Sequence, residues 1–210
     1  MDAIFFDLDG TLSDPFEGFA RSLRFAFEEL GFGAPPDAEI RTLIGPPLHL
    51  SIRARFADRA LADEMVRLFR VRYADAGLFE NVVYPGVREL LDALAGRMPL
   101  FVCTTKPRVY ALPILQHFGI GETFAGVYGS ELDGTNADKR ILLAHALAEQ
   151  GLAPGARVAL LGDRELDLIA ARANAVDAWG AGWGYGTLDE LAGADHVFTA
   201  PLEVAAFIAR

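Results

Sequence analysis

Short apolar runs recur along the chain at residues 3–6, 100–103, 126–128, 158–161, 178–181 and 196–198. Amphipathic helical patterns at 87–94, 141–150 and 166–174 lie among them. Runs this short, nearly free of polar residues, suit strands buried on both faces. Strands that alternate with helices pair in parallel through helical crossovers, and the helices then cover both faces of the sheet. The pattern therefore demands an α/β fold built on one parallel sheet. It also says where a site would lie, because open sheets of this kind bind ligands outside the carboxyl ends of their strands.

One interval breaks the rhythm. Between about residues 16 and 79 the apolar residues follow helical spacing, as in Phe19, Leu23, Phe27 and Leu30 and again in Met65, Leu68, Phe69 and Tyr73. Gly31, Gly33, Pro35-Pro36 and Gly45-Pro46-Pro47 punctuate it. A helical block inserted between the first and second major strands is expected. The expected domains are an α/β core over 1–14 and 82–210 and a helical unit over 15–81.

The chain has 210 residues and a net charge of −10, which argues against a nucleic-acid polymer as partner. No apolar stretch is long enough to span a bilayer, and no basic segment leads into an apolar one at the N-terminus, so a cytoplasmic protein with no membrane partner is expected. The single cysteine, Cys103, sits in an apolar run and is expected to be a buried, inert thiol. Of nineteen lysines and arginines only Lys106 and Lys139 are lysine. In a chain that uses arginine as its general cation, these two are candidates for a role that a planar guanidinium does not fill.

Four motifs fall at the ends of expected strands. Asp7-Leu8-Asp9-Gly10-Thr11 follows the first: a carboxylate there can attack phosphorus, a second can handle a proton, and the pair can seat a cation. Thr104-Thr105-Lys106-Pro107 follows the second. It offers a hydroxyl and backbone N–H groups to phosphoryl oxygens, with the dipole of a following helix whose first position suits Pro107, or alternatively a helix cap at Thr105. Lys139 opens a helical run, either as a neutraliser of developing charge or as a solvated surface group. Gly162-Asp163 ends a strand, with Asp167 one turn further on. These two can join Asp7 and Asp9 around a cation, or simply cap the helix and face solvent.

Taken together, Asp7-Leu8-Asp9-Gly10-Thr11, Thr104, Lys139 and Gly162-Asp163 with Asp167 resemble the signature set of the haloacid dehalogenase superfamily, over essentially the whole chain. The nearest likeness is to phosphoglycolate-phosphatase-like proteins and a branch of 5′-nucleotidases. It is carried by Ile44-Gly45-Pro46-Pro47-Leu48, Gly77-Leu78-Phe79-Glu80-Asn81, Gly129-Ser130-Glu131-Leu132-Asp133-Gly134 and Trp183-Gly184-Tyr185-Gly186. The resemblance implies a Rossmann-like core with a small all-helical cap inserted after the first strand. It implies a Mg²⁺-dependent phosphomonoester hydrolase that forms an aspartyl-phosphate. Asp7 would be the nucleophile and a metal ligand. Asp9 would move the proton and bind the metal through its carbonyl. Thr104 would hold the phosphoryl group, Lys139 would stabilise the phosphoaspartate, and Asp163 and Asp167 would complete the metal site. Gly10, Thr11, Thr105 and Lys106 would line the phosphate. The expected partner is a small phosphorylated metabolite, a 5′-nucleotide or a phosphoglycolate-like compound, bound by a monomer or homodimer. The second aspartate excludes a dehalogenase. A phosphosugar mutase, an inorganic pyrophosphatase and a non-catalytic phospholigand sensor are the rival functions.

Three positions depart from the family pattern. Ala175 stands where glycine is usual, Asn136 where arginine often precedes the lysine, and Pro113 falls inside the helix expected after Lys106. His49, His117, His145 and His196 share no metal-ligand spacing. His49, Arg53 and Arg55 lie in the helical block, where substrate contact competes with a solvated surface. Trp179, Trp183 and Tyr185 are expected at the end of a core strand, with a loop lining the cap interface, near substrate, as the alternative.

Overall fold

The structure is a computed structural model that describes residues 1–152 and 155–209. Six strands form the expected parallel sheet: β1 (Ala3–Phe6), β4 (Leu100–Pro107), β5 (Gly126–Ser130), β6 (Val158–Gly162), β7 (Asp177–Ala181) and β8 (His196–Phe198). Their order is β5-β4-β1-β6-β7-β8. The chain thus builds outward from β1 on one side and then returns to build on the other. β1 stands at the reversal, where Ile4 pairs with both Leu100 and Ala159. A crevice opens at the carboxyl ends of such neighbours, and Asp7 begins there.

Alternation along β1 shows why the sheet is covered on both sides. Ile4 and Phe6 point into one core and Ala3 and Phe5 into the other, and all four are fully buried. The first core receives Leu90 and Leu91 of α5 (Val87–Leu94), Ala111 and Ile114 of α6 (Arg108–His117), and Val204 of α9 (Pro201–Ile208). The second receives Leu142 and Leu143 of α7 (Lys139–Glu149) and Leu168 of α8 (Glu165–Ala173). Cys103 lies in this second core, buried as expected, and burial pushes its thiol up to about 12.

The interval that lacked strands is helical throughout. It contains α1 (Phe16–Glu29), α2 (Asp37–Thr42), α3 (Leu48–Arg55) and α4 (Arg59–Arg72), with a π-helical turn at Tyr73–Gly77. Two strands that no sequence periodicity showed, β2 (Ser13–Asp14) and β3 (Val82–Val83), pair antiparallel at its two ends. The block therefore leaves and re-enters the core through one small ladder. Gly18 N–H donates to the Glu80 carbonyl at 2.9 Å just beyond it.

Two local expectations are corrected. Thr105 is not a helix cap: the register between β4 and β5 shifts between Thr104 and Pro107, which keeps the chain extended, and α6 begins only at Arg108. Pro107 thus precedes the helix rather than occupying its first turn. Pro113 does lie inside α6.

At the end of α8, Val176 N–H donates to Ala171 C=O at 3.1 Å and Ala175 N–H to Arg172 C=O at 3.2 Å, the bonding of a Schellman turn. Such a turn needs a left-handed residue, and Ala175 has φ of 54°. Ala175→Gly relieves the methyl clash but costs backbone entropy in the unfolded chain. We expect a net gain of about 0.5–1 kcal/mol, or about 2–4 °C per kcal/mol in Tm, measured by thermal unfolding.

Candidate active site

The carboxyl edge of the sheet collects three buried acids. Asp7 leaves β1, Asp163 follows β6, and Asp167 lies in the first turn of α8; their exposures are 3%, 0% and 1%. One carboxylate oxygen from each falls within 4.8 Å of the others. Lys139, at the start of α7 and 4% exposed, approaches Asp7 Oδ1 at 3.0 Å and also pairs with Asp167. Leu8 N–H donates to the same Asp7 Oδ1 at 2.8 Å, so Oδ2 is left without a protein partner among the described residues. The other oxygen of Asp167 accepts the Arg164 N–H at 2.9 Å.

One ammonium against three carboxylates leaves negative charge in excess. Burial raises the Asp163 carboxyl well above the ordinary carboxylate range, and Asp167 and Asp7 add to the shift. Burial raises Asp167 too, with Lys139 pulling the other way. Burial works against the Lys139 ammonium, but Asp167 and Asp7 outweigh it and the net shift is upward. Gly10, at φ of 83°, packs so closely on Asp163 that a Cβ there would occupy the carboxylate's place. An all-oxygen cluster that is buried, overcharged and cradled by glycine backbone fits a hard divalent cation.

A second ion pair flanks the first. Lys106, at the end of β4, pairs with Asp9, and its ammonium lies 5.1 Å from the centre of the Tyr73 ring in the helical block. Asp9 Oδ1 is buried with no hydrogen-bond partner among the described residues. Burial raises the Asp9 carboxyl, with Lys106 opposing it. Burial also opposes the Lys106 charge, but Asp9 and Tyr73 carry the net shift upward. Thr104 is buried, and its hydroxyl oxygen accepts the Lys106 N–H at 3.3 Å. Thr105 instead donates its hydroxyl to the Gly45 carbonyl of the helical block. Between block and core lies a cleft lined by Asp9 and Lys106 on the core side and by Phe19, Phe69, Tyr73 and Tyr110 along its wall, with His49 and Arg70 also in its lining.

The model of haloacid dehalogenase-like hydrolases matches residues 4–181, which takes in every one of these groups. The chain belongs to that family. It is therefore a hydrolase by membership, and its relatives fill in the range of the family. It is 45% identical over 190 residues to a 5′-nucleotidase of Pseudomonas aeruginosa, covering 90% of this chain and 86% of the relative. It is 36% identical to the tyrosine-protein kinase PtkA of Mycobacterium tuberculosis over 89% of this chain and 64% of that protein. A phosphoglycolate phosphatase of Chromobacterium violaceum is 31% identical over 92% of this chain and 90% of the relative. The crystal structure of a predicted phosphatase from Clostridium acetobutylicum superposes with a TM-score of 0.93 at 31% identity, covering 99% and 98% of the two chains.

Within this family member the structure brings together Asp7, Asp9, Thr104, Lys106, Lys139, Asp163 and Asp167 at one edge. Gly10 and Thr11 sit on the same loop but turn toward Asp163, with the Thr11 hydroxyl 3.4 Å from its Oδ1. Both lysines of the chain land at the site, where composition alone had singled them out. His49 lines the cleft, and burial, then Arg53 and Arg70, lower its imidazole, which favours the neutral form. His117, His145 and His196 pack instead beside Phe79, Tyr128 and Phe207. Arg53 and Arg55 are held by Asp63 and Glu39. Asn136 adopts φ of 60°, a left-handed conformation that asparagine tolerates better than arginine. Sequence reasoning missed Ser130, whose hydroxyl donates to Thr105 C=O at 2.7 Å, and Arg164, which donates to Ile44 C=O of the helical block at 3.0 Å. The signal for Ser130 was its place at the end of β5. Arg164 gave none.

No helix among the described residues is long and apolar enough to cross a membrane.

Proposed function

We propose that this hydrolase is a Mg²⁺-dependent phosphomonoesterase that works through an aspartyl-phosphate on Asp7. The observation that carries the proposal is the asymmetry of the Asp7 carboxylate. Leu8 N–H and Lys139 both meet Oδ1, while no hydrogen bond among the described residues fixes Oδ2. A nucleophile needs one unencumbered oxygen and a fixed direction of attack.

Asp7, Asp163 and Asp167 would hold the cation, which supplies charge neutralisation at the phosphoryl oxygens and at the attacking carboxylate. Asp7 Oδ2 attacks phosphorus, and the bond to the ester oxygen breaks. Asp9 gives that oxygen its proton through Oδ1, the buried oxygen that lacks a partner among the described residues. Asp9 then takes a proton from water as it attacks the phosphoaspartate, and Asp7 is released with inorganic phosphate. Lys139 balances the charge on Asp7 throughout, and Thr104 holds the phosphoryl group. The apolar wall of Phe19, Phe69 and Tyr73 suits an organic leaving group. The relative named 5′-nucleotidase, at 45% identity, supports a nucleotide-like ester ahead of phosphoglycolate.

The test is a phosphate-release screen with nucleoside 5′-monophosphates, phosphoglycolate, an aryl phosphate and pyrophosphate. Release from at least one monoester is expected without any sugar acceptor. EDTA should abolish it and added Mg²⁺ restore it. Turnover that persists in EDTA, or release from pyrophosphate alone, overturns the proposal.

A further inference from the structure

The loop after β7 joins two parts of the molecule that the chemistry above treats separately. Trp183 Nε1–H donates to the Thr11 carbonyl at 3.0 Å. Two residues on, the Tyr185 N–H donates to Asp163 Oδ2 at 2.8 Å. The hydroxyl of the same Tyr185 donates to Asp14 Oδ1, which also accepts the Phe16 N–H at 2.9 Å. Asp14 is half of the ladder by which the helical block enters the core, paired with Val82. Gly184 and Gly186 leave no room between the loop and Asp163, since a Cβ on either would strike that residue. The loop therefore moves with the aspartate. On the far side Arg41 of α2 stacks its guanidinium 4.1 Å from the Phe16 ring and 5.8 Å from the Tyr185 ring, so the block itself rests on this junction.

We propose that Tyr185 is a positioning residue that couples occupancy of the metal site to the setting of the helical block. Its backbone follows Asp163 and its hydroxyl holds Asp14 at the hinge. A cation that fixes Asp163 thereby fixes the loop, and the tyrosine hydroxyl passes that constraint to the ladder. The proposal rests on the metal site proposed above.

The two hydrogen bonds of Tyr185 separate the roles. The contact to Asp163 comes from the backbone and survives Tyr185→Phe; the contact to Asp14 does not. Amide hydrogen exchange at Phe16, Gly18 and Tyr84 reads the hinge, and calorimetric titration with Mg²⁺ reads the site. In the wild-type protein Mg²⁺ should slow hinge exchange by about tenfold, the factor one net hydrogen bond supplies. Tyr185→Phe and Asp14→Ala should lose that slowing and, because coupling is reciprocal, should bind Mg²⁺ weaker by the same factor of about tenfold. Asp14→Asn keeps an acceptor oxygen and should retain it. Equal slowing in wild type and Tyr185→Phe overturns the coupling. So does a loss of Mg²⁺ affinity in Tyr185→Phe that Asp14→Ala does not share, which would make Tyr185 part of the metal site itself. Failure of the wild-type protein to bind Mg²⁺ overturns both this proposal and the metal-dependent function, whereas binding without coupling overturns this one alone.

Discussion

Asp7→Asn removes phosphate release, with turnover down by about 10⁴- to 10⁶-fold, the scale on which losing a nucleophile acts. The substitution is close to isosteric. The amide oxygen can still accept from Leu8 N–H and face Lys139, so the local geometry has no reason to collapse. What disappears is the charged oxygen that attacks, together with one of the three buried carboxylates. Removing one of three repelling charges should leave the metal-free protein as stable as wild type or more so. The measurement is paired: phosphate release on the best substrate of the screen, and urea unfolding in EDTA. An acid quench during turnover should trap a phosphoryl adduct on the wild-type protein and none on the variant. Retained turnover in a folded variant would remove Asp7 from the nucleophile's role.

Lys139→Met has the opposite effect on stability. The lysine is 4% exposed and serves Asp7 and Asp167 together. Methionine fills much of the same space but leaves those carboxylates buried without a counter-charge. Breaking a buried pair from one side costs about 3–5 kcal/mol. The pH dependence follows from the direction of the shifts. The folded-state value of Lys139 lies above its ordinary one, so its contribution is fully present at neutral pH and is lost only at strongly alkaline pH. Asp163 and Asp167 are shifted upward, so in the folded protein they take up protons at a higher pH than in the unfolded chain. The deficit of the variant should therefore shrink as pH falls into the range where those acids protonate. Urea unfolding in EDTA at neutral and mildly acidic pH checks both parts. A deficit that grows on acidification would contradict the charge argument.

Several chemical groups of this edge were legible in the sequence because each follows a buried apolar run. Asp7, Thr104 and Asp163 each follow an apolar run, and parallel strands bring all such ends to one side. The two lysines were legible through composition, since arginine serves everywhere else. The roles of Tyr185 and Arg164 were not legible, because each acts on a partner more than a hundred residues earlier, Asp14 and Ile44 respectively. Nothing in a local window encodes that direction. The strands β2 and β3 were invisible for a different reason: two residues carry no period, and they pair only once the block has brought them together. Ala175 and Asn136 were flagged as departures, and both take left-handed backbone; the usual glycine at 175 records that conformation, whereas the arginine often found at 136 does not.

The antiparallel pairing of Asp14 with Val82 has a consequence for how the chain reaches this state. The first strand to be made is the centre of the finished sheet, yet its partners begin at Leu100 and Val158. During synthesis β1 therefore waits, edges unsatisfied, while the helices that follow it assemble from contacts close in sequence. The ladder shortens that wait. By bringing Val82 back to Asp14 it turns the whole helical block into a closed loop, and β4 arrives beside β1 as though only a short connection separated them.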